Sequence, residues 1–197
     1  MSLCSTVWIS FPAVSVSGFG LPWRWRFKRR VKRQAEFVAG RKLAQQALKQ
    51  LGEGYDRTIA IGAHREPLWP LGITGSIAHC DGWAVCTVLK AEHLSLDIEH
   101  RLEHQAACEV QAMIGTAQEW ALLAQQFYLT SAVTLLFSAK ESLFKALFPQ
   151  VHIYLDFSDA QLIGLDGNQL TLRLAINRTP FIANEDYRCI LYGRSVV

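Results

Sequence analysis

Residues 137–147 read FSAKESLFKAL, and their pattern predicts a helix that carries both core and charged groups. At about 100° per residue, the apolar side chains around this stretch fill one arc of a helical wheel. Glu141 and Lys145 lie together at the edge of that arc, whereas Lys140 falls inside it. An ammonium there is costly to desolvate unless it meets an anion in a cleft, so packing alone does not explain it. The arc consists of Val133, Leu136, Phe137, Leu143, Phe144, Leu147 and Phe148.

A second short stretch, LSLDIEH at residues 94–100, offers two more carboxylates. It is typical of a strand, in which Asp97 and Glu99 would share one face of the pleat. Together with Glu141 they form a set of three carboxylates without a companion histidine or thiolate, which suits Mg²⁺ bound with substrate phosphates better than zinc. Taken separately, a D-x-E strand is usually a solvated face, and a helix with Lys and Glu is usually surface charge.

Four ordered motifs change that balance: REPLWP at residues 65–70, GSIAHC at 75–80, LDIE at 96–99 and the helix motif at 137–147. In this order and at these separations they resemble the 4′-phosphopantetheinyl transferases, most of all the branch that includes the enterobactin synthetase component D type. Residues 32–48, KRQAEFVAGRKLAQQAL, are similar to the first long helix of that branch. The resemblance covers about residues 32–149.

One departure from the family pattern concerns the residues before the metal aspartate. The family usually has Gly and then Ile or Val there, whereas this chain has Ser95 and Leu96. Glycine in a strand often marks a close approach of the backbone, so Ser95 is expected to crowd the nucleotide slightly. The first 27 residues also lack the acidic and proline features that are typical of the start of the family.

The resemblance implies an α+β fold built from two similar α+β subdomains related by a pseudo-twofold, with the active site at their interface. We assign the halves to residues 1–100 and 101–197. Local patterns predict helices at 29–51, 105–114, 117–127 and 131–148. They predict strands at 58–63, 73–79, 83–90, 94–99, 152–157, 169–176 and 187–192.

The implied reaction transfers the 4′-phosphopantetheine arm of coenzyme A to a serine hydroxyl of an apo carrier protein and releases 3′,5′-ADP, as in holo-[acyl-carrier-protein] synthase. By resemblance, Asp97, Glu99 and Glu141 hold Mg²⁺, and Glu141 accepts the serine proton directly or through a metal-bound water. Lys145 acts on the departing phosphate. A peptidyl or acyl carrier of siderophore or nonribosomal peptide synthesis is the expected partner. The alternative is a non-catalytic module that binds coenzyme A or a carrier.

Binding of coenzyme A is assigned to basic and small residues of the matched motifs. Arg65 precedes a Pro-x-Trp-Pro turn and suits bidentate phosphate contact, and His79 follows small residues that let backbone N–H groups approach a phosphate. Without the resemblance, a lone strand histidine such as His79 is more often a core residue. By resemblance Arg41 approaches the nucleotide, and the alternative is an ordinary exposed helix arginine. The full predicted set is Arg41, Arg65, Ser76, His79, Lys140 and Lys145.

Composition agrees with a soluble globular protein. The 197 residues carry a net charge of +3, and no apolar run approaches the ~20 residues that span a bilayer. Five cysteines without C-x-x-C spacing argue against zinc and disulfides, so a reduced cytoplasmic protein is expected. Residues 24–33, RWRFKRRVKR, could steer an acidic partner or could be a solvated start of a helix. They form no nucleic-acid motif. A monomer is expected, because both halves of the site lie in one chain.

Overall fold

The computed structural model describes residues 5–10, 23–52, 59–80, 83–90, 95–177 and 183–191. The chain divides into two compact units, Met1–Ile98 and Glu99–Val197. Helices and antiparallel sheets occur in both, which confirms the predicted α+β class. Among the described residues, no helix is long and apolar enough to cross a membrane.

Unit 1 packs one long helix on a three-stranded antiparallel sheet. Helix α1 (Trp23–Gln50) contacts β1 (Ser5–Ser10), β4 (Thr74–Cys80) and β5 (Trp83–Leu89), with β5 in the centre of the sheet. Two short strands, β2 (Ala60–Ile61) and β3 (Pro67–Leu68), form a separate antiparallel pair. The core consists of Ala39, Leu43, Ala44, Ala47, Leu48, Ile59, Ile73, Ala84, Cys86 and Val88.

Unit 2 begins with three helices and continues into a second antiparallel sheet. The helices are α2 (His104–Ile114), α3 (Ala117–Leu123) and α4 (Leu129–Val151). A 3-10 turn at Phe157–Asp159 leads into β6 (Ala160–Asp166), β7 (Gln169–Leu174) and β8 (Asp186–Ile190), with β7 in the centre. Along β7, Leu170, Leu172 and Leu174 alternate into the core, where the buried face of α4 also lies.

Several predicted elements differ from the structure. Residues 95–100 have no regular structure, so the predicted strand at 94–99 is wrong for its described part, and residue 94 lies outside the described residues. The predicted strand at 152–157 is also wrong, because the side chains of Asp156 and Asp159 cap a 3-10 turn there and the strand starts at residue 160. The first helix starts six residues earlier than predicted, at Trp23. Most of the first twenty residues lie outside the described part.

The contact between Gly75 and Trp69 generates a test of the packing in unit 1. A Cβ at Gly75 would lie 2.6 Å from the Trp69 ring, whereas a Cβ at Gly164 in β6 would lie 3.6 Å from its nearest neighbour in Thr171. We expect Gly75→Ala to lower the free energy of unfolding by ~1–3 kcal/mol through overpacking. Gly164→Ala is the control and should change it far less. Urea unfolding measures both, and equal stability of the two variants would contradict the packing.

Candidate functional site

Ser76 lies in β4 and faces the chain that leads to Asp97. Its side chain is 5% exposed, and its hydroxyl donates to the carbonyl oxygen of Leu96 at 3.2 Å. The Ser95 hydroxyl lies 3.3 Å from the hydroxyl oxygen of Ser76. One hydroxyl proton is thus directed at the backbone just before Asp97. These contacts favour a role in holding that backbone over the predicted contact of Ser76 with coenzyme A.

Arg41 is enclosed within unit 1. The residue is 8% exposed, its Nη1 donates to the carbonyl of Ala60 at 3.0 Å, and its guanidinium lies 5.0 Å from the centre of the Phe37 ring. Burial lowers the pKa of Arg41, and the neighbouring Cys86 acts in the opposite direction. The arginine therefore ties α1 to β2, which favours a structural role over the predicted contact with the nucleotide.

His79 is a predicted phosphate ligand that is open to solvent. Its side chain is 47% exposed at the end of β4, and its Nδ1 lies 3.5 Å from a carboxylate oxygen of Glu36 in α1. Lys32, one turn earlier, lies 3.8 Å from the other oxygen of Glu36. A carboxylate beside Nδ1 favours the proton there, which leaves Nε2 as the second polar atom of the ring. Sequence reasoning missed Glu36, although its i,i+4 spacing from Lys32 is visible in the sequence.

Arg65 projects from a tight turn that joins β2 to β3. Its backbone has φ of 70°, and its N–H donates to the carbonyl of Gly62 at 3.0 Å. The left-handed region costs a residue with a Cβ about 1 kcal/mol relative to glycine, and such strain is often found at functional positions. Glu66 stabilises the turn by accepting a hydrogen bond from the backbone of His64 at 2.8 Å. The residue is exposed, as a phosphate ligand needs to be.

Helix α4 carries Lys140, Glu141 and Lys145, and it directs them differently. Glu141 and Lys145 are half-buried and one turn apart. Lys140 lies within the buried apolar stripe that runs through Leu136, Leu143 and Leu147, and it is 1% exposed. The predicted proximity of Glu141 and Lys145 on one edge thus follows from the helix itself.

The Lys140 ammonium is fully engaged inside unit 2. Its Nζ lies 2.8 Å from Oε1 of Glu119, and it donates to the carbonyls of Ile114 and Phe157, each at 2.9 Å. Burial lowers the pKa of Lys140, while its hydrogen bond to Glu119 acts against that shift. The three protons of the Lys140 ammonium thus have three acceptors inside unit 2. This favours a structural role for Lys140 over the predicted contact with coenzyme A.

Glu119 is a residue that sequence reasoning missed. Besides Lys140, its carboxylate accepts hydrogen bonds from the backbone N–H groups of Leu162 and Thr116, each at 2.8 Å. Together with the Thr116 hydroxyl it forms the capping box of α3. The T-x-x-E spacing at residues 116–119 is the sequence signal of that box, but it does not reveal the ion pair. A cavity of about 430 Å³ beside Glu119 is lined by none of the predicted site residues.

Two of the three predicted metal carboxylates, Asp97 and Glu99, lie where the chain passes from one unit to the other. Asp97 is near the end of unit 1, Glu99 opens unit 2, and Glu141 lies in α4. Among the described residues, no three His, Cys, Asp or Glu side chains are grouped as a metal site. Carboxylate oxygens on an irregular backbone are nevertheless the donors that Mg²⁺ takes in proteins, so the donor set fits that ion chemically.

Comparisons with known families match both units. The family model described as "4'-phosphopantetheinyl transferase N-terminal domain" matches residues 28–89, and the one described as "4'-phosphopantetheinyl transferase superfamily" matches residues 94–191. The metal, helix and phosphate motifs named above all fall within these ranges.

Curated relatives agree with the family models. Enterobactin synthase component D of Salmonella austin is 35% identical over 73% of the chain and 60% of its own length. The protein of that name in Escherichia coli (strain K12) is 37% identical over 72% of the chain and 66% of its own length. The "4'-phosphopantetheinyl transferase Svp" of Streptomyces mobaraensis is 36% identical over 74% of the chain and 61% of its own length. The chain thus spans about 60% of the length of the first of these relatives.

The buried pair of Lys140 and Glu119 generates a test of stability. We expect Lys140→Met to lower the free energy of unfolding by ~3–5 kcal/mol, because it leaves a buried carboxylate without its cation. Lys145→Met removes an ammonium of the same helix from a half-buried position, and it should cost much less. Chemical denaturation measures both.

The double variant Lys140→Met/Glu119→Gln should lose less free energy of unfolding than the two single variants lose together, because the two residues interact directly. Strict additivity would show that the pair does not couple.

Proposed function

Because the chain belongs to the 4′-phosphopantetheinyl transferase superfamily, we propose that it transfers the 4′-phosphopantetheine arm of coenzyme A to a serine hydroxyl of an apo carrier protein and releases 3′,5′-ADP. The observation that carries this proposal is the presence of Asp97, Glu99, Glu141 and Lys145 inside the range that the family model matches. A module that only binds coenzyme A or a carrier has no need of all four groups.

The phosphate-binding set in this proposal is smaller than the sequence-based one. Arg65 and His79 are both exposed. The guanidinium of Arg65 and the polar ring of His79 are therefore available to phosphoryl oxygens. Lys145 is half-buried on α4 and supplies an ammonium next to Glu141. We leave out Arg41, Ser76 and Lys140, since their donors are directed at backbone carbonyls within their own units.

The proposed mechanism follows from the charges of these groups. Asp97, Glu99 and Glu141 supply carboxylate oxygens for Mg²⁺, which when bound offsets the charge of the pyrophosphate. Glu141 accepts the proton of the attacking serine hydroxyl as a positioned general base. Oxygen of that serine then bonds to the phosphorus of the pantetheine phosphate, and the bond to the 3′,5′-ADP oxygen breaks. Lys145 neutralises the departing phosphate.

The proposed partner is a carrier protein or carrier domain of the kind modified by holo-[acyl-carrier-protein] synthases. Because two relatives are named enterobactin synthase component D, we propose a carrier of siderophore or other nonribosomal peptide synthesis. We place the reaction in the cytoplasm, because coenzyme A is a cytoplasmic cosubstrate and the four described cysteines are free thiols. We propose a monomer, because all residues of the proposed site belong to one chain.

Release of 3′,5′-ADP tests the proposal against its alternative. The protein is incubated with coenzyme A, Mg²⁺ and a panel of apo carriers, and the nucleotide product is quantified. The proposal requires ADP release that depends on both the carrier and the metal. Binding of coenzyme A without any release, for every carrier, would identify a non-catalytic module instead.

Phosphate anchoring gives a prediction at Arg65. Because Arg65 has positive φ, Arg65→Gly removes the guanidinium and relieves backbone strain. We expect it to weaken coenzyme A binding by ~1.5–3 kcal/mol, as for loss of a charge-assisted contact, while thermal stability is unchanged or higher. His79→Ala should show a similar loss in calorimetric titration. Wild-type affinity in both variants would remove these residues from the site.

The proposed roles of Glu141 and Lys145 can be distinguished by how their variants respond to Mg²⁺. Glu141→Gln keeps the volume of the side chain and removes a charge, so the fold should persist while turnover falls by ~100-fold or more, as for loss of a general base. Lys145→Met should also lower turnover with little loss of stability.

Raising the Mg²⁺ concentration should partly rescue Glu141→Gln if ligation is its main role, and should not rescue Lys145→Met. Steady-state kinetics over a range of Mg²⁺ concentrations measures this. If both variants stay fully active, the edge of α4 has no catalytic role.

A further inference from the structure

Two of the three carboxylates of the proposed metal site lie on a stretch of backbone outside the helices and strands. This carboxylate segment, residues 95–103, includes Asp97 and Glu99 and ends where α2 begins. Regular structure does not fix its conformation, so other contacts must do so if the carboxylates are to be held for an ion. Mg²⁺ demands near-octahedral geometry, which makes that requirement strict.

The front of the segment is held by Ser76 of unit 1. The Ser76 hydroxyl donates to the carbonyl of Leu96, one residue before Asp97, at 3.2 Å. It has a lone pair left for the Ser95 hydroxyl at 3.3 Å, so the two hydroxyls and the carbonyl form a short chain. Ser95 occupies the position at which the family pattern has glycine, and the second hydroxyl of this chain is therefore a feature of this protein.

The rear of the segment is held by Thr134 of unit 2. The backbone N–H of Leu102, three residues after Glu99, donates to Oγ1 of Thr134 at 2.9 Å. That hydroxyl donates its own proton to the carbonyl of Thr130 at 2.7 Å. Thr134 is 7% exposed on the buried face of α4, so water competes little for either bond.

We infer that Ser76 and Thr134 are positioning residues for the proposed metal site: buried hydroxyls that fix the two ends of the segment bearing Asp97 and Glu99. The inference rests on the proposed function for the role of those carboxylates. Neither hydroxyl touches substrate or metal in this account. Their effect is exerted through the backbone, as that of residues behind metal ligands commonly is.

The test compares the metal requirement of hydroxyl-free and hydroxyl-bearing variants. Ser76→Ala and Thr134→Val should each raise the Mg²⁺ concentration for half-maximal transfer by about tenfold, the lower range for loss of such support. The KM for coenzyme A should change by far less than this tenfold rise, and kcat at saturating Mg²⁺ should return to near the wild-type value. Ser76→Thr and Thr134→Ser keep the hydroxyl and should restore the metal requirement.

Two measurements that do not depend on turnover accompany the kinetics. Amide hydrogen exchange followed by NMR should show faster exchange at Leu102 in Thr134→Val and at residues 96–98 in Ser76→Ala, with recovery in the conservative variants. Binding of Mn²⁺ in the presence of coenzyme A, followed by electron paramagnetic resonance, should weaken in parallel with the kinetic metal requirement.

The outcomes separate this inference from the function beneath it. If the wild-type protein transfers the arm but both hydroxyl-free variants keep its Mg²⁺ and Mn²⁺ affinities, the positioning role is overturned and the function stands. If the conservative variants fail to rescue, the defect is one of packing, and the inference is again overturned. If the wild-type protein transfers to no carrier and binds no Mn²⁺, the proposed function is wrong and the inference falls with it.

Discussion

The buried ion pair between Lys140 and Glu119 is the interaction on which unit 2 depends. Its two side chains satisfy the carbonyl that ends α2, the first N–H of the α3 capping box, a backbone N–H of β6 and a carbonyl of the 3-10 turn. A buried charge pair is tolerated only when its remaining hydrogen-bonding groups find partners, and here they do. Because Lys140 directly precedes Glu141, the same pair fixes the rotation of α4, and this rotation leaves Glu141 and Lys145 at the half-buried edge.

Unit 1 uses buried polar groups in a comparable way to support exposed ones. Arg41 is buried and anchors the start of β2, whereas Arg65 and His79 remain exposed at a strained turn and at a strand end. In both units, then, one cation is directed at backbone carbonyls of the fold, and another is left for the proposed phosphate contacts. A charged residue within a family motif is thus not by itself a ligand, and its burial decides between the two roles.

Sequence periodicity predicted α4 and β7, because burial on one face leaves a period that can be read directly. It failed at 95–99 and at 152–157. There, hydrogen bonds from Ser76 and capping by Asp156 and Asp159 determine the backbone, and such contacts leave no periodic signal. The helical pattern placed Glu141 and Lys145 together on one edge of α4. It did not show that Lys140 meets Glu119, since two residues 21 positions apart in sequence are joined only by the fold.

The central claim is that the chain attaches phosphopantetheine to a carrier, and intact mass spectrometry of the carrier tests it most directly. An apo carrier from a nonribosomal peptide or siderophore pathway is incubated with coenzyme A, Mg²⁺ and either the wild-type protein or Asp97→Ala. The account predicts that the carrier gains one phosphopantetheine group at its acceptor serine with the wild-type protein, and none with Asp97→Ala or in the presence of a chelator. Full modification by Asp97→Ala, or with the metal removed, would contradict it.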